Sequence, residues 1–450
     1  MSQTRQSDAP ASGTRPVILF GIVALLFLSE GMYFGTWNTA LGILNMALIS
    51  AIMALGVNMQ WGYAGLFNTG IVGFVALGGL APVLISMPPQ TDAILAGGWR
   101  IPLALLLGIA AIAAAVFAYA RTSGRTRTLA ILAILIGGFF AYRAVLDPAV
   151  ATVETMNPAF AGNVGGLGID LIFGTHAGVI LSWPVGALMA AAAAWVIGKI
   201  SLGLRSDYLA IATLGIGEII VAVLKNEDWL ARGVKNVTGI PQPVPYEIDL
   251  QQSAYWQGWA DVFGTTPVTF STVFVKLCWM GYIVVILLAL IWLTERALNS
   301  PWGRMMRAIR DNETAAEAMG KNVTGRHLQI FILGSAICGL AGAMMVTMDA
   351  QITPSSYTPL RFTFLIWVMV IVGGSVNNWG AMLGAFLIYF LYIKVESWGP
   401  DLMTWVTSTM QEGPLKDHMK DMAGQARLLT LGVILLLVLR FSPRGLLPEK

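Results

Sequence analysis

Residues 270–293 read FSTVFVKLCWMGYIVVILLALIWL. These 24 residues carry one charge, Lys276, close to their beginning. A helix of that length spans a hydrocarbon core about 30 Å thick, and one of that composition has no polar face to turn toward water. Blocks of about 18 to 24 apolar residues recur outward from it in both directions. Candidate spans fall near 16–33, 38–60, 66–86, 100–120, 128–146, 177–198, 207–224, 270–293, 328–349, 363–376, 379–397 and 427–441. Composition agrees: 56% of the 450 residues are hydrophobic and 11% are charged, against roughly 25% charged in a soluble domain. The expected fold is an all-α membrane protein, a polytopic bundle of about 10–12 transmembrane helices. The short segments between 363 and 397 are candidates for broken or re-entrant spans.

Several function classes drop out on composition. A net charge of +3 leaves no footprint for nucleic acid. Cys278 and Cys338 both fall inside apolar blocks, where a thiol behaves as a small hydrophobe rather than half of a disulfide. His176, His327 and His418 lie in separate segments without metal-ligand spacing, so no metal is expected. The polar start with Arg5 and Arg15 resembles the n-region of a signal peptide. No small-x-small cleavage site follows the apolar run, so an uncleaved first span is expected.

Lysine and arginine set the orientation. With a cytoplasmic N-terminus and every span crossing, the inner segments are 1–15, 61–65, 121–127, 199–206, 294–327, 377–378 and 440–450. About 16 of the 27 basic residues then lie inside, among them Arg121, Arg125, Arg127, Lys199, Arg205, Arg296, Arg304 and Arg326. Both termini are therefore expected in the cytoplasm. This gives a cytoplasmic tail over 1–15, one transmembrane domain over 16–445 and a short cytoplasmic tail over 446–450. Within the domain, 97–176 contains an extra hairpin of spans, and 294–327 is the long inner loop. The long outer segments are 147–176, 225–269 and 398–426. Trp229, Trp256 and Trp259 in the second suit either the membrane boundary or docking of an external partner. Glycine runs such as Gly73–Gly79 and Gly334–Gly342 predict close helix packing, since lipid supplies no hydrophobic drive for helices to associate.

The inner loop is the most informative segment. Residues 300–320 read SPWGRMMRAIRDNETAAEAMG. Arg304, Arg307 and Arg310 recur every third residue, Glu313 to Met319 are strong helix formers, and Gly320 supplies a stop. The pattern fits a short helix beneath the membrane whose alanines leave a shallow face for a partner. It fits equally a basic loop resting on lipid phosphates.

Resemblance separates these two readings. Ala315-Ala316, three residues, then Gly320 resembles the coupling loop of ABC importer permeases, whose pattern is Glu-Ala-Ala, three residues, Gly. The surrounding sequence is similar to branched-chain amino-acid permeases of the LivM type, with Thr314 in the usual Glu place between Glu313 and Glu317. LRSDYLAIATLGIGEII (204–220), GYAGLFNTG (62–70) followed by Gly73, VMVIVGG (368–374), WGAMLGA (379–385) and the tail 426–447 resemble the same family. The resemblance implies an ATPase-coupling loop carried by Arg307, Arg310, Glu313, Thr314, Ala315, Ala316, Glu317 and Gly320. It also implies a second homologous permease subunit, two cytoplasmic ATPase subunits, an external substrate-binding protein and a bacterial inner membrane. The implied substrates are branched-chain or other hydrophobic amino acids, with urea or short amides as the alternative.

Asn68, Thr213 and Glu218 are the candidate polar lining of a translocation path. Glu218 is expected to be the one carboxylate deep in a span, where an ionisable group is costly and faces a cavity or a partner. It either lines the path or makes a structural hydrogen bond to a neighbouring helix. No Gly-x-x-x-x-Gly-Lys-[Ser/Thr] occurs, so ATP-driven work needs a separate ATPase and the chain itself carries no cofactor. No catalytic constellation appears, which argues against an enzyme. An ion-coupled secondary transporter would be expected to carry several intramembrane carboxylates and paired broken helices.

Overall fold

The computed structural model describes residues 14–34, 36–156, 166–169, 177–231, 233, 235–408, 413, 426–442 and 444–447. The expectations for most of the tails 1–15 and 446–450, for most of 409–425, and for His176 and His418 lie outside them.

Fourteen helices carry the architecture. They are α1 (Thr14–Ser29), α2 (Trp37–Asn58), α3 (Ile71–Ile85), α4 (Arg100–Arg121), α5 (Gly124–Met156), α6 (Ala177–Ser201) and α7 (Ser206–Asn226). After the outer segment come α8 (Pro267–Asn299), α9 (Pro301–Asp311), α10 (Glu313–Ala318), α11 (Val323–Asp349), α12 (Leu365–Gly373), α13 (Asn378–Val406) and α14 (Ala426–Phe441). Among the described residues nine helices are long and apolar enough to cross a membrane: α1, α2, α4, α5, α6, α7, α8, α11 and α13. The chain is a multi-pass, all-α membrane protein. The segment 270–293 forms the middle of α8, opened by Thr266, whose hydroxyl accepts from the Thr269 amide at 3.3 Å, and by Pro267 in the first turn.

The candidate spans divide in an instructive way. The expected span 66–86 is a helix only from Ile71; residues 65–70 have no regular secondary structure, with Gly65 in the left-handed region at φ 71°. The span expected at 363–376 is a 14-residue apolar segment, Leu360–Gly373, whose first turn is a π-helix. At 1.5 Å per residue both α3 and this segment reach about 21–22 Å, short of a full crossing. The neighbouring 379–397 is not short: α13 provides a span of 24 residues.

The two short helices meet inside the bundle, which is where irregular backbone is tolerated at membrane depth. The Thr363 hydroxyl donates to the Thr69 carbonyl at 3.2 Å and accepts from the Val72 amide at 3.2 Å. The Trp367 indole donates to the Asn68 carbonyl at 3.0 Å. Each broken stretch thereby satisfies polar groups of the other.

The core is built around α2, α3 and α11, which are buried on most of their surface. Glycine makes that packing possible at defined crossings. A Cβ on Gly56 would stand 2.6 Å from the Gly334 carbonyl, and one on Gly78 would collide with the backbone of Gly339. Gly78, Gly79, Gly339 and Gly342 thus mark the surface along which α3 and α11 touch, while Gly73 meets Gly217 of α7 and Gly334 meets the end of α2. The hairpin α4–α5 is a satellite with its own small cluster of Ile101, Ala104, Leu146, Ala149 and Val153, and it presents mostly exposed apolar side chains.

Segments expected on the inner side converge on one end of the molecule. Pro16, Tyr63, Asn299, Arg307, Asn377 and Leu447 surround one cavity there. At the other end Val237–Thr238 pairs antiparallel with Gln351–Ile352, tying the long outer segment to the exit of α11.

Candidate functional site

The helices at that first end are α9 and α10. α9 has a polar and an apolar face, with Gly303, Met306 and Ile309 buried against the bundle. Arg304 stays exposed and donates to the Asn299 carbonyl at 3.1 Å. Arg307, half-buried, lines a cavity of about 660 Å³ beside Glu295, Asn377 and Trp379. Asn312 then ends α9 and caps α10, its side chain accepting from the Ala315 amide at 3.0 Å.

α10 is one and a half turns of helix with no buried residue. Glu313, Thr314, Ala315 and Glu317 are exposed and Ala316 is half-buried. Gly320 terminates it at φ 74°, its amide donating to the Glu317 carbonyl at 2.8 Å, while the Lys321 amide reaches the Ala316 carbonyl at 3.1 Å. Met319 stands 78% exposed beside it. The result is a small-residue knob projecting from the bundle.

Arg310 connects this knob to the core. Its Nη1 donates to the Gly62 carbonyl at 2.7 Å, and its Nε donates to Asp311 at 3.1 Å. Gly62 lies in the π-helical turn Met59–Tyr63 that ends α2. A Cβ on Gly62 would stand 2.7 Å from the Val376 amide nitrogen, so this carbonyl is offered from a site that only glycine fits. From there a buried polar cluster leads inward. Gln60 donates to the Phe331 carbonyl at 2.9 Å and to Ser335 at 3.0 Å, and accepts from Asn68 at 2.9 Å. Asn58 donates to Asn378 at 3.0 Å and accepts from the Val376 amide at 2.8 Å. α2, α3, α11 and α13 are joined through these amides, and Arg310 hangs the knob on their junction.

The three candidate path residues separate. Asn68 is buried, bonded to Gln60, and accepts from the Gly70 amide at 2.9 Å just before α3 begins. Thr213 is buried and accepts from the Thr69 amide at 3.1 Å. Thr213 holds the irregular 65–70 segment against α7, and Asn68 ties it to the end of α2. Glu218 lies on another face of α7, exposed together with Ile211, Gly215 and Ile219, and makes no hydrogen bond or ion pair among the described residues.

A buried carboxylate that the sequence reading did not mark lies elsewhere: Glu30, 1% exposed, is ion-paired to Lys394 within the bundle. Glu30 opens the π-helical turn that ends α1, and Lys394 belongs to α13. Both sit near the ends of their apolar blocks, where snorkelling is the usual outcome, so sequence alone gave no reason to pair them. The amides Asn58 and Gln60 were also missed as a cluster. Their signal was available, since two amides in one apolar block are costly in lipid unless they bond each other's neighbours.

Comparison with known proteins follows this geometry. Residues 150–439 match the family described as "Branched-chain amino acid transport system / permease component". The chain is similar to the high-affinity branched-chain amino acid transport system permease protein LivM of Escherichia coli (strain K12), 28% identical over 59% of this chain and 56% of that protein. It therefore spans little more than half the length of that relative. It is also similar to a probable LivM of Methanocaldococcus jannaschii, 26% identical over 89% of this chain and 90% of that protein. A shorter likeness, 27% identical over 27% of this chain and 35% of the relative, links it to the fructose import permease protein FrcC of Rhizobium meliloti. No solved structure matches the chain.

Proposed function

Since the chain belongs to the branched-chain amino acid transport system permease family, we propose that it is the membrane-spanning subunit of an ABC importer for branched-chain or other hydrophobic amino acids. The observation that carries this reading is the α9–α10 knob. α10 is exposed on every residue but Ala316 and is built on alanine and glycine, and α9 bonds it through Arg310 to the junction of four core helices. A surface of this kind suits a partner that grips it and moves it. With no phosphate-binding loop in the chain, the partner is a separate ATPase that binds the ATP. The family's partners are the remaining parts of the assembly: a second homologous permease, two ATPase subunits and an external substrate-binding protein. The chain then serves as a transport subunit rather than an enzyme, in a bacterial inner membrane with both termini in the cytoplasm.

The position of Glu218 fits such an assembly. It lies near the midpoint of α7 on an exposed face. A bare carboxylate facing lipid at that depth is costly. A water-filled path or the second permease would cover it at lower cost. Glu218→Gln is expected to lower uptake while the complex still assembles; loss of assembly would instead assign the residue to the subunit contact.

A pull-down of the tagged chain from its native membranes tests the reading. Recovery of a P-loop ATPase that is lost on Ala316→Glu supports it. Recovery of the chain without any ATPase, with transport intact, would contradict it.

A further inference from the structure

At the end of the bundle opposite the knob, α2, α8 and α11 part around a cavity of about 480 Å³ roofed by the outer segment 242–248. Its polar lining is unusual for a membrane protein. Lys276 enters from α8, Glu247 from the roof, Asp349 from the end of α11 and Asn45 from α2, while Met46 and Trp279 supply apolar walls.

Asn45 is 1% exposed, and its Nδ2 donates to the Lys276 carbonyl at 3.0 Å. A carbonyl can only accept, so the amide orientation is fixed and Oδ1 is left as an acceptor. That oxygen is buried and has no partner. It calls for an N–H donor, since a buried polar atom without one is costly. The Lys276 ammonium lies close enough to α2 that a Cβ on Gly42 would stand 3.3 Å from it. One of its protons goes to the Asn38 carbonyl at 2.9 Å, which leaves two for a ligand oxygen. Glu247 accepts from Thr272 at 3.3 Å and acts on Lys276 through space, yet no ion pair forms between them. Asp349 lies in the field of Arg361 and likewise forms no ion pair among the described residues.

One cavity thus holds a cation with spare donors, two carboxylates, an orphan acceptor and an apolar wall. We infer that it is a binding site for a zwitterionic α-amino acid with an apolar side chain. Lys276 takes the carboxylate; Asn45 Oδ1, with Glu247 and Asp349, takes the ammonium; Met46 and Trp279 face the side chain. The volume lies within the range of small-molecule sites. The inference rests on the permease reading and adds to it a stop for substrate within this one subunit, at the end expected to face outward.

Equilibrium binding of radiolabelled L-leucine to the full chain in lipid nanodiscs tests it. Leucine is expected to bind, and leucinamide and 4-methylpentanoate, each lacking one charge, to compete at least about tenfold more weakly. Lys276→Gln and Glu247→Gln should each weaken leucine binding by about tenfold or more. Met46→Trp fills the cavity without changing charge and should abolish binding, which covers the case in which a charge variant fails to fold. Unchanged leucine binding in a folded Met46→Trp or Lys276→Gln variant would overturn the site. So would ATP-driven leucine uptake by the assembled transporter when the chain binds no leucine, although the permease reading would then stand. Binding as described, with no amino-acid uptake by the assembled transporter, would overturn the transport reading and leave the site in place.

Discussion

Arg310 shows how a single side chain ties a surface feature to the core. Its guanidinium reaches the Gly62 carbonyl at 2.7 Å from α9, which packs Gly303, Met306 and Ile309 on the bundle. A hydrogen bond to a charged donor contributes about 1.5–3 kcal/mol. Arg310→Ala is therefore expected to leave the fold intact and to loosen the link between α9 and the end of α2. In the assembled transporter, ATP hydrolysis should continue while substrate moved per ATP falls severalfold; an unchanged ratio would remove Arg310 from the coupling route. The sequence showed the arginine and its place in a basic loop. It did not show the acceptor, because Gly62 lies 248 residues away and offers a backbone atom that no pattern marks.

The Glu30–Lys394 pair belongs to the same scale. Both groups are almost fully buried, so removing one partner strands the other charge at a cost of about 3–5 kcal/mol. Glu30→Met should lower the thermal midpoint in detergent by several degrees. The double variant Glu30→Met/Lys394→Met should recover most of that loss. If the double variant is no more stable than the single one, the pair does not act as a unit.

Among the elements, α10 depends on its ends. Six residues cannot hold a helix by propensity alone, and none of these six is buried. Asn312 and Gly320 supply the two caps. Asn312→Ala should cost about 1 kcal/mol and fray the helix. Hydrogen exchange of the 313–318 amides is expected to speed up by about fivefold, with the flanking α9 and α11 unaffected. This element was legible from sequence, since helix formers and a stopping glycine are local signals. The break at 65–70 was not. Its apolar and small residues continue the hydropathy of the span, and the reason it stays out of the helix is non-local: Gln60, Thr213, Thr363 and Trp367 bond its polar groups from three other helical segments. Glycine runs announced close packing without naming the partner helix. Gly339→Val places its branch against the Gly186 carbonyl, 2.8 Å from a Cβ there, and against Ala190. It should abolish a monodisperse elution profile, whereas the same change at Gly281, which meets nothing within 4 Å, should not.

At the scale of the whole molecule, two ends with different chemistry face each other across the bundle. One carries the basic inner segments and the exposed knob, joined to the core by Arg310. The other carries a charged cavity under the tied outer segment. Between them, beside the continuous spans α2 and α11, α3 and α12 stop short and meet, held by the Thr363 hydroxyl and the Trp367 indole. Counting apolar blocks gave the class of fold and grouped the segments by end. It marked 363–376 as a candidate broken span but did not reveal the short helix within 66–86, because hydropathy reports burial from water and is blind to whether the cover is lipid or protein.

The central claim is that this chain moves amino acids only when a separate ATPase acts on its inner end. Reconstitution of the complex that co-purifies with the chain into proteoliposomes, with labelled L-leucine and the substrate-binding protein outside and ATP enclosed, tests it directly. Leucine is predicted to accumulate inside the vesicles with ATP present, and to show no accumulation without ATP or when Ala316→Glu removes the ATPase. Accumulation by the chain alone, driven by a proton or sodium gradient without ATP, would contradict the claim.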